Sequence, residues 1–167
     1  MKIAIIGLGY VGLVTSIVLS KKGFKVFGFD TDVSKINSLR KKKLYIKEKN
    51  LSNIFKSQIV NKNFTSHSIN DQKIFFDTNF DIIIVAVGTP SKEGRVNLNY
   101  VKQVLRLIKN KMMNSKFHTS VIIKSTVPPG TTDTIAKKIL LNNQQIKNIG
   151  LGMNPEFLRE GTAVDDF

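Results

Sequence analysis

The sequence predicts an α/β fold built on a doubly wound, mostly parallel sheet. Short apolar runs alternate with segments of helical spacing along the chain, which is the pattern of strands joined by crossover helices. Residues 81–87 contain a continuous, largely β-branched apolar run, as expected for a strand buried on both faces. With 167 residues, of which 41% are hydrophobic and 23% charged, the chain is expected to fold as one domain.

In the first half of the chain, apolar spacing and capping residues identify the elements. Strands are predicted over residues 3–6, 25–29 and 64–65. Helical spacing is seen from Val11 to Leu19, and a further helix is predicted over 51–60. Between them, Thr31 or Asp32 could cap a helix that runs towards Leu39. Residues 69–76 fit neither pattern.

The second half repeats the alternation more clearly. Strands are predicted over residues 81–87, 120–124 and 149–153, with Pro128-Pro129-Gly130 ending the middle one. Amphipathic helices are predicted over 98–111 and 131–141. Six strands with helical crossovers predict the strand order 3-2-1-4-5-6.

A glycine-rich turn joins the first strand to the first helix. Gly7, Gly9 and Gly12, with Tyr10 and Val11 between the last two, form a Gly-x-Gly-x-x-Gly pattern in that context. Gly7 allows the tight turn, Gly9 lets a pyrophosphate approach the backbone, and Gly12 allows close helix–strand packing. The helix N-terminus then offers free N–H groups to phosphates. The sequence therefore predicts a Rossmann-type dinucleotide-binding domain.

The end of the second strand indicates which dinucleotide binds. Asp30 stands 18 positions after Gly12, where a carboxylate accepts hydrogen bonds from the adenosine ribose and repels a 2′-phosphate. Lys35 is a candidate contact to the phosphate or ribose, with a solvated surface lysine as the alternative. The predicted cofactor is NAD.

Polar segments follow strands four, five and six, at residues 87–90, 124–130 and 153–161. The carboxyl ends of parallel strands meet at one edge of the sheet, so the side chains of Thr89, Thr126, Glu156 and Glu160 are expected to converge on a cleft facing the dinucleotide. Turn formation or helix capping is the alternative reading of each residue taken alone.

Composition excludes several other chemistries. The chain has no cysteine, so it lacks disulfides and a cysteine nucleophile, and its two histidines, His67 and His118, are isolated, so no metal site is predicted. The net charge is +14, but arginine forks and exposed aromatic residues are not arranged for nucleic acid. No segment resembles a membrane span or a signal peptide, which predicts a cytoplasmic protein with no membrane partner.

Four segments together resemble the NAD-binding domain of the UDP-glucose/GDP-mannose dehydrogenases, with the UDP-glucose 6-dehydrogenase type closest. They are Gly7 to Gly12, Gly88-Thr89-Pro90, Ser125 to Thr131, and Asn154-Pro155-Glu156-Phe157-Leu158-Arg159-Glu160-Gly161. The resemblance implies oxidation of a nucleotide-sugar C6 hydroxymethyl to a carboxylate with two NAD, through a thiohemiacetal and a thioester on a cysteine.

The resemblance also implies roles for individual residues. Gly7, Gly9, Tyr10, Val11, Gly12, Asp30 and Lys35 would hold the adenosine diphosphate part of NAD. Thr89 and Thr126 would line the nicotinamide side, and Thr126 and Glu156 would position a catalytic water, with Glu156 also contacting NAD. Phe157, Leu158 and Glu160 would contact the sugar substrate, Glu160 as a candidate general base.

Parts of the family's machinery have no counterpart here. The cysteine, the central helix that builds the homodimer and most of the nucleotide-sugar surface would follow Phe167. The expectation is a truncated NAD-binding domain over 1–167, monomeric and inactive alone. The match is weakest at Lys43 to Leu51, where the family has a segment resembling Pro-x-x-Glu-Pro-Gly-Leu and only Glu48 and Leu51 fit its spacing.

Three other functions are alternatives to a UDP-glucose dehydrogenase. A GDP-mannose 6-dehydrogenase shares nearly every motif. A stand-alone NAD-binding module does not need Thr126, Glu156 and Glu160, which argues against it. If the chain were a nucleic-acid-binding protein, its affinity for DNA would fall steeply with rising salt.

Overall fold

The computed structural model describes residues 1–92, 94–113, 115–142, 146–155 and 158–166. Numbered in chain order, the strands are β1 (Lys2–Ile6), β2 (Lys25–Asp30), β3 (Phe64–Ser68), β4 (Ile82–Val85), β5 (Ser91–Lys92), β6 (Arg95–Val96), β7 (Thr119–Ile123) and β8 (Ile149–Met153). Six of them form one sheet in the order β3-β2-β1-β4-β7-β8, in which every pairing is parallel. The remaining two, β5 and β6, form a short antiparallel hairpin.

Helices connect the strands of the large sheet. They are α1 (Tyr10–Lys21), α2 (Val33–Arg40), α3 (Leu51–Val60), α4 (Gln72–Asp77), α5 (Asn99–Met112) and α6 (Lys137–Leu140), and a π-helical turn (Thr132–Ala136) leads into the last of them. None of the helices in the described part of the chain combines the length and the apolar surface needed to cross a bilayer.

Two apolar clusters bury the faces of the sheet. Along β1, Ile3 and Ile5 point into a cluster shared with α1, α2 and α3, while Ala4 and Ile6 point into a cluster shared with α4, α5 and α6. The alternation follows from the two-residue period of a strand. Because both faces of β1 are buried, its sequence is apolar throughout the last four positions.

The register of the sheet places the ends of the strands at one level. Ile6 is aligned with Phe29 and Val85, and Val85 with Ile123, which in turn is aligned with Met153. The residues that follow these strands therefore emerge side by side along the carboxyl edge of the sheet. This edge is where ligands bind in open α/β sheets.

The structure confirms the predicted fold class and strand order, with the hairpin strands left out of the count. Three local features were not predicted: helix α4 in the ambiguous stretch 69–76, the β5–β6 hairpin, and the π-helical turn. α4 has six residues and buries only Phe75, and each hairpin strand has two residues. Elements this short do not produce a measurable period in the sequence.

Candidate functional site

The glycine turn after β1 depends on two glycines for its shape. A Cβ on Gly12 would lie 1.8 Å from the carbonyl oxygen of Gly7, and Gly7 itself has a φ of +99°. A Cβ on Gly9, in contrast, would have no atom within 4 Å. Gly9 is the N-cap of α1 and supplies no side-chain cap, so the first N–H groups of the helix face open space. The turn is therefore tightly packed on the protein side and open on the ligand side.

Asp30, the last residue of β2, holds the same turn. Its Oδ2 accepts the backbone N–H of Leu8 at 2.7 Å, and its Oδ1 accepts the backbone N–H of Asp32 at 2.9 Å. Nζ of Lys35 lies 3.8 Å from Oδ2. The Asp30 carboxylate is mostly buried, and each oxygen retains a lone pair for a hydroxyl donor.

A cavity of about 170 Å³ adjoins Asp30 at the carboxyl edge. Side chains of α5 and of the segment after β4 form part of its wall. Its lining residues include Gly7, Asp30, Thr31, Ile69, Val87, Tyr100 and Val104. A carboxylate beside an apolar slot fits a nucleoside, whose ribose offers hydroxyl donors and whose base offers a flat apolar face.

A second cavity, of about 210 Å³, lies over the start of α1. It is lined by the glycine turn and by the segments after β4 and β7, namely Gly9, Tyr10, Val11, Ala86, Val87, Gly88, Thr89, Lys124, Ser125 and Thr126. Both cavities are lined by Val87. The two cavities are therefore neighbours along the carboxyl edge, one beside Asp30 and the other beside the two threonines.

Hydrogen bonds fix the segments that follow β4 and β7 relative to one another. The Thr89 hydroxyl donates to the Thr126 carbonyl at 2.7 Å, and the Ser125 hydroxyl donates to the Val87 carbonyl at 2.7 Å. The Lys124 side chain is buried and donates to Oδ1 of Asn154 at 3.1 Å. These bonds make the wall of the second cavity a preorganised one.

Residues 158–166 lie beside the glycine turn, on the side of Tyr10. The Tyr10 hydroxyl donates to the Glu48 carboxylate and lies 3.5 Å from the Arg159 carbonyl. Burial and the hydrogen bond to Glu48 raise the pKa of Tyr10 to about 12, with a smaller contribution from the charge of Glu160. Donation by the same hydroxyl lowers the pKa of Glu48 below its ordinary value.

The structure places the predicted site residues in three groups. The first group lines the second cavity and consists of Gly9, Tyr10, Val11, Thr89 and Thr126. The second group shapes the glycine turn or flanks the cavity beside Asp30 and consists of Gly7, Gly12, Asp30 and Lys35. The third group, Leu158 and Glu160, lies on the segment beside Tyr10. Glu160 is exposed and is not among the residues lining either cavity. Glu156 and Phe157 lie outside the described residues.

Several residues of the site were not assigned from the sequence. Tyr45 donates its hydroxyl to the Leu8 carbonyl at 2.5 Å, and Glu48 binds Tyr10. Val87 and Tyr100 line the cavity beside Asp30. The spacing of Glu48 in the segment 43–51 and the place of Val87 in the segment 87–90 were usable signals, whereas Tyr45 and Tyr100 belong to no motif. The described residues contain no group of three or more histidines, aspartates and glutamates placed to hold a metal ion.

Comparison with known proteins agrees with this geometry. The model of the UDP-glucose/GDP-mannose dehydrogenase family, NAD binding domain, matches residues 1–167. The chain is 37% identical to the UDP-glucose 6-dehydrogenase of Rhizobium meliloti over 171 residues, which covers 100% of this chain and 37% of that protein. It is 34% identical to the GDP-mannose 6-dehydrogenase of Pseudomonas aeruginosa, covering 100% of this chain and 38% of that protein.

Solved structures show the same likeness. The crystal structure of a ternary complex of the Pseudomonas aeruginosa GDP-mannose dehydrogenase superposes with a TM-score of 0.89 at 34% identity, over 99% of this chain and 38% of that one. The chain thus spans well under half the length of these relatives. From the matched family model, the whole-chain relatives and the shared fold, we conclude that this chain belongs to the UDP-glucose/GDP-mannose dehydrogenase family and corresponds to its NAD binding domain.

Proposed function

We propose that the chain is the cofactor-binding part of an enzyme that oxidises UDP-glucose to UDP-glucuronate with two NAD. The observation that carries the proposal is the pair of neighbouring cavities at the carboxyl edge, one lined by Asp30 and the other by Thr89 and Thr126. The identity to the Rhizobium meliloti UDP-glucose 6-dehydrogenase supports the choice of sugar.

The residues at this edge fit NAD. The open space at Gly9 and the uncapped N-terminus of α1 suit a pyrophosphate, which binds to free N–H groups and to the positive end of the helix dipole. Asp30 suits the ribose of NAD, and its negative charge opposes the 2′-phosphate of NADP. Lys35, beside Asp30, balances part of the charge at this end of the site.

Bound at this edge, NAD would supply the hydride-accepting chemistry needed to oxidise C6 of the sugar. The residues of this chain would orient the reactants. Thr89 and Thr126 would line the nicotinamide, and their mutual hydrogen bond keeps that wall fixed. Among the described residues no partner hydrogen-bonds the Thr126 hydroxyl, which leaves it available to hold a water molecule. Thr126 would thus position the water that releases the product.

The acidic residues of the last segment would handle protons and substrate. We assign Glu160 as a candidate general base near C6, because it lies on the segment beside Tyr10 and close enough to raise the pKa of that residue. Glu156 would orient or activate the hydrolytic water and contact NAD. Phe157 and Leu158 would contact the sugar.

The rest of the reaction needs groups outside these 167 residues. The chain contains no cysteine, whereas the reaction implied by the family resemblance would use a thiol nucleophile. The relatives are much longer than the matched region. We therefore propose that residues 1–167 are the NAD-binding domain, monomeric and without turnover by itself, and that a further domain supplies the thiol, the nucleotide-sugar surface and the homodimer contact.

A second candidate substrate is GDP-mannose. It is favoured by the similarity to the Pseudomonas aeruginosa GDP-mannose dehydrogenase, whose structure superposes closely on this chain. The family resemblance implies that most of the residues distinguishing the two sugars would lie outside the matched region. A stand-alone NAD-binding module remains the alternative of a different class.

Two chimeras test the proposal. This chain replaces the matching 37% of the Rhizobium meliloti enzyme in one and the matching 38% of the Pseudomonas aeruginosa enzyme in the other. Each chimera is assayed for NADH formation with its own sugar, with a Gly9→Ala version as the control. The proposal predicts that the UDP-glucose chimera keeps a larger fraction of its parent enzyme's activity than the GDP-mannose chimera does. It also predicts that the Gly9→Ala version of each chimera loses this activity. Folded chimeras that bind no NAD, or NADH formation by the 167-residue chain alone, would contradict it.

A further inference from the structure

The last described segment, residues 158–166, is folded on itself beside the glycine turn. The Arg159 guanidinium pairs with the Asp166 carboxylate at 2.6 Å, and the Thr162 hydroxyl donates to the same carboxylate at 3.2 Å. Ala163 is fully buried in the cluster under α1, α2 and α3. The segment is therefore a compact loop that packs on the domain as a unit.

Glu48 joins this loop to the start of α1. Its Oε2 accepts the backbone N–H of Gly161 at 2.8 Å, and its Oε1 accepts the backbone N–H of Ala163 at 3.0 Å. Oε2 also accepts the hydroxyl of Tyr10, the first residue of α1. One carboxylate thus bridges two elements whose residues are more than a hundred positions apart in the sequence.

The stretch that carries Glu48 has a second attachment to the glycine turn. Three residues before it, the Tyr45 hydroxyl donates to the Leu8 carbonyl at 2.5 Å. The ring of Tyr45 also lies 6.0 Å from Nζ of Lys35. Because Tyr45 holds this stretch on the turn, a displacement of Glu48 relative to the turn is restricted.

The charge of Glu48 suits the three donors that surround it. An ionised carboxylate is an acceptor only, and it accepts here from two N–H groups and one O–H group. Donation by Tyr10, followed by the backbone amides of the loop, lowers the pKa of Glu48, so the group is ionised at neutral pH. An amide in its place would turn an NH₂ group towards one of these donors.

We propose that Glu48 is a positioning residue that fixes the loop 158–166, and with it Leu158 and Glu160, against the glycine turn. The inference rests on the proposed function, in which Leu158 and Glu160 contact the nucleotide sugar. Glu48 acts through the backbone of Gly161 and Ala163 and touches no reacting atom. The separation between cofactor and substrate is thereby set by a contact within this chain, and small errors in such a separation slow catalysis strongly.

Amide hydrogen exchange followed by NMR tests the proposal on the chain itself. The variants are Glu48→Gln, Tyr10→Phe, and Asp71→Asn as the matched control, since Asp71 is an exposed carboxylate with no side-chain cap bond. In Glu48→Gln we expect the protection of the Gly161 and Ala163 amides to fall by about tenfold or more, because a hydrogen bond to a charged group is lost. Tyr10→Phe should lower it less, and the control should not change it. Amides of β1 should keep their protection in every variant.

The pH profile separates positioning from general stabilisation. In the parent chain, the protection of these two amides should fall as the pH drops through the pKa of Glu48, and in Glu48→Gln it should not depend on pH. Unchanged protection in Glu48→Gln would overturn the proposal, and so would an equal loss of protection throughout the sheet. If Glu48→Gln does not fold, Tyr10→Phe decides. A loss of protection confined to the Gly161 and Ala163 amides in that variant supports the proposal, and unchanged protection of these amides overturns it. No cofactor is needed, so a failure of NAD to bind would contradict the proposed function alone.

Discussion

The backbone N–H of Leu8 donates to Oδ2 of Asp30 over 2.7 Å, so the residue expected to bind the ribose also holds the glycine turn. The N–H of Asp32 donates to the other carboxylate oxygen at 2.9 Å. The same carboxylate therefore shapes the turn between β1 and α1 and offers its remaining lone pairs to a ligand. Binding and local stability are coupled at this residue.

Asp30→Asn should weaken both properties. An amide has only one acceptor oxygen, whereas the two oxygens of Asp30 each accept one backbone N–H. In Asp30→Asn, the N–H of either Leu8 or Asp32 would therefore point at the NH₂ group and lose its acceptor. We expect the free energy of unfolding to fall by about 1–3 kcal/mol, the loss typical of a buried donor left unsatisfied, together with weaker NAD binding. Urea denaturation and calorimetric titration measure the two effects. Asp32→Asn is the control, because an asparagine still caps α2; equal losses in both variants would contradict the account.

Alanine substitutions in the glycine turn should separate folding from binding. Gly12→Ala places a Cβ 1.8 Å from the Gly7 carbonyl oxygen, so we expect a loss of at least about 2 kcal/mol in unfolding free energy. Gly9→Ala meets no protein atom and should change the stability by no more than about 1 kcal/mol. Its methyl group would occupy the space proposed for the pyrophosphate, and NAD affinity should fall at least about tenfold. Full NAD affinity in Gly9→Ala would show that the phosphates bind elsewhere.

The backbone at Asn50 explains how the segment 43–51 keeps its shape without a glycine. Asn50 has a φ of +62° and precedes Leu51, which is fully buried at the start of α3. Asparagine tolerates this left-handed conformation better than other non-glycine residues. Asn50→Gly should therefore leave stability nearly unchanged, while Asn50→Val should reduce it by about 1–2 kcal/mol. Thermal and urea denaturation would show this difference; equal stability of the two variants would mean that φ at this position is not constrained.

The hydrogen bond between Tyr10 and Glu48 should stabilise the chain over a defined pH range. The pKa of Glu48 is lowered from 4.5, so its stabilisation is present above that pH and is lost as the pH falls through the lowered value. The pKa of Tyr10 is raised from 10.0 to about 12, so its stabilisation is present below pH 10.0 and is lost as the pH rises through 12. The stability difference between the parent chain and Tyr10→Phe should be constant from about pH 5 to pH 9 and should shrink at lower pH. A difference that grows on acidification would contradict this prediction.

Much of the fold and part of the site follow from local sequence signals. The strand order follows from the alternation of strands and helices. The glycine turn is located by its position directly after β1, and Asp30 by its position at the end of β2. Thr89 and Thr126 converge because parallel strands end at one edge. The roles of Tyr45 and Glu48 depend on contacts between segments far apart in the chain, to Leu8 and to residues 161–163. The spacing within the segment 43–51 marks Glu48 as a candidate, but no periodicity or spacing identifies the partners of either residue, so only the three-dimensional arrangement reveals these contacts.

We expect the site between Asp30 and the two threonines to bind NAD. The most direct measurement is a calorimetric titration of the folded 167-residue chain with NAD and with NADP at moderate salt, with Gly9→Ala as the control. We expect NAD to bind more tightly than NADP, and we expect Gly9→Ala to lose NAD binding while remaining folded. Binding of NADP as tight as that of NAD, or no binding of NAD to a chain whose fold is intact by circular dichroism, would contradict it.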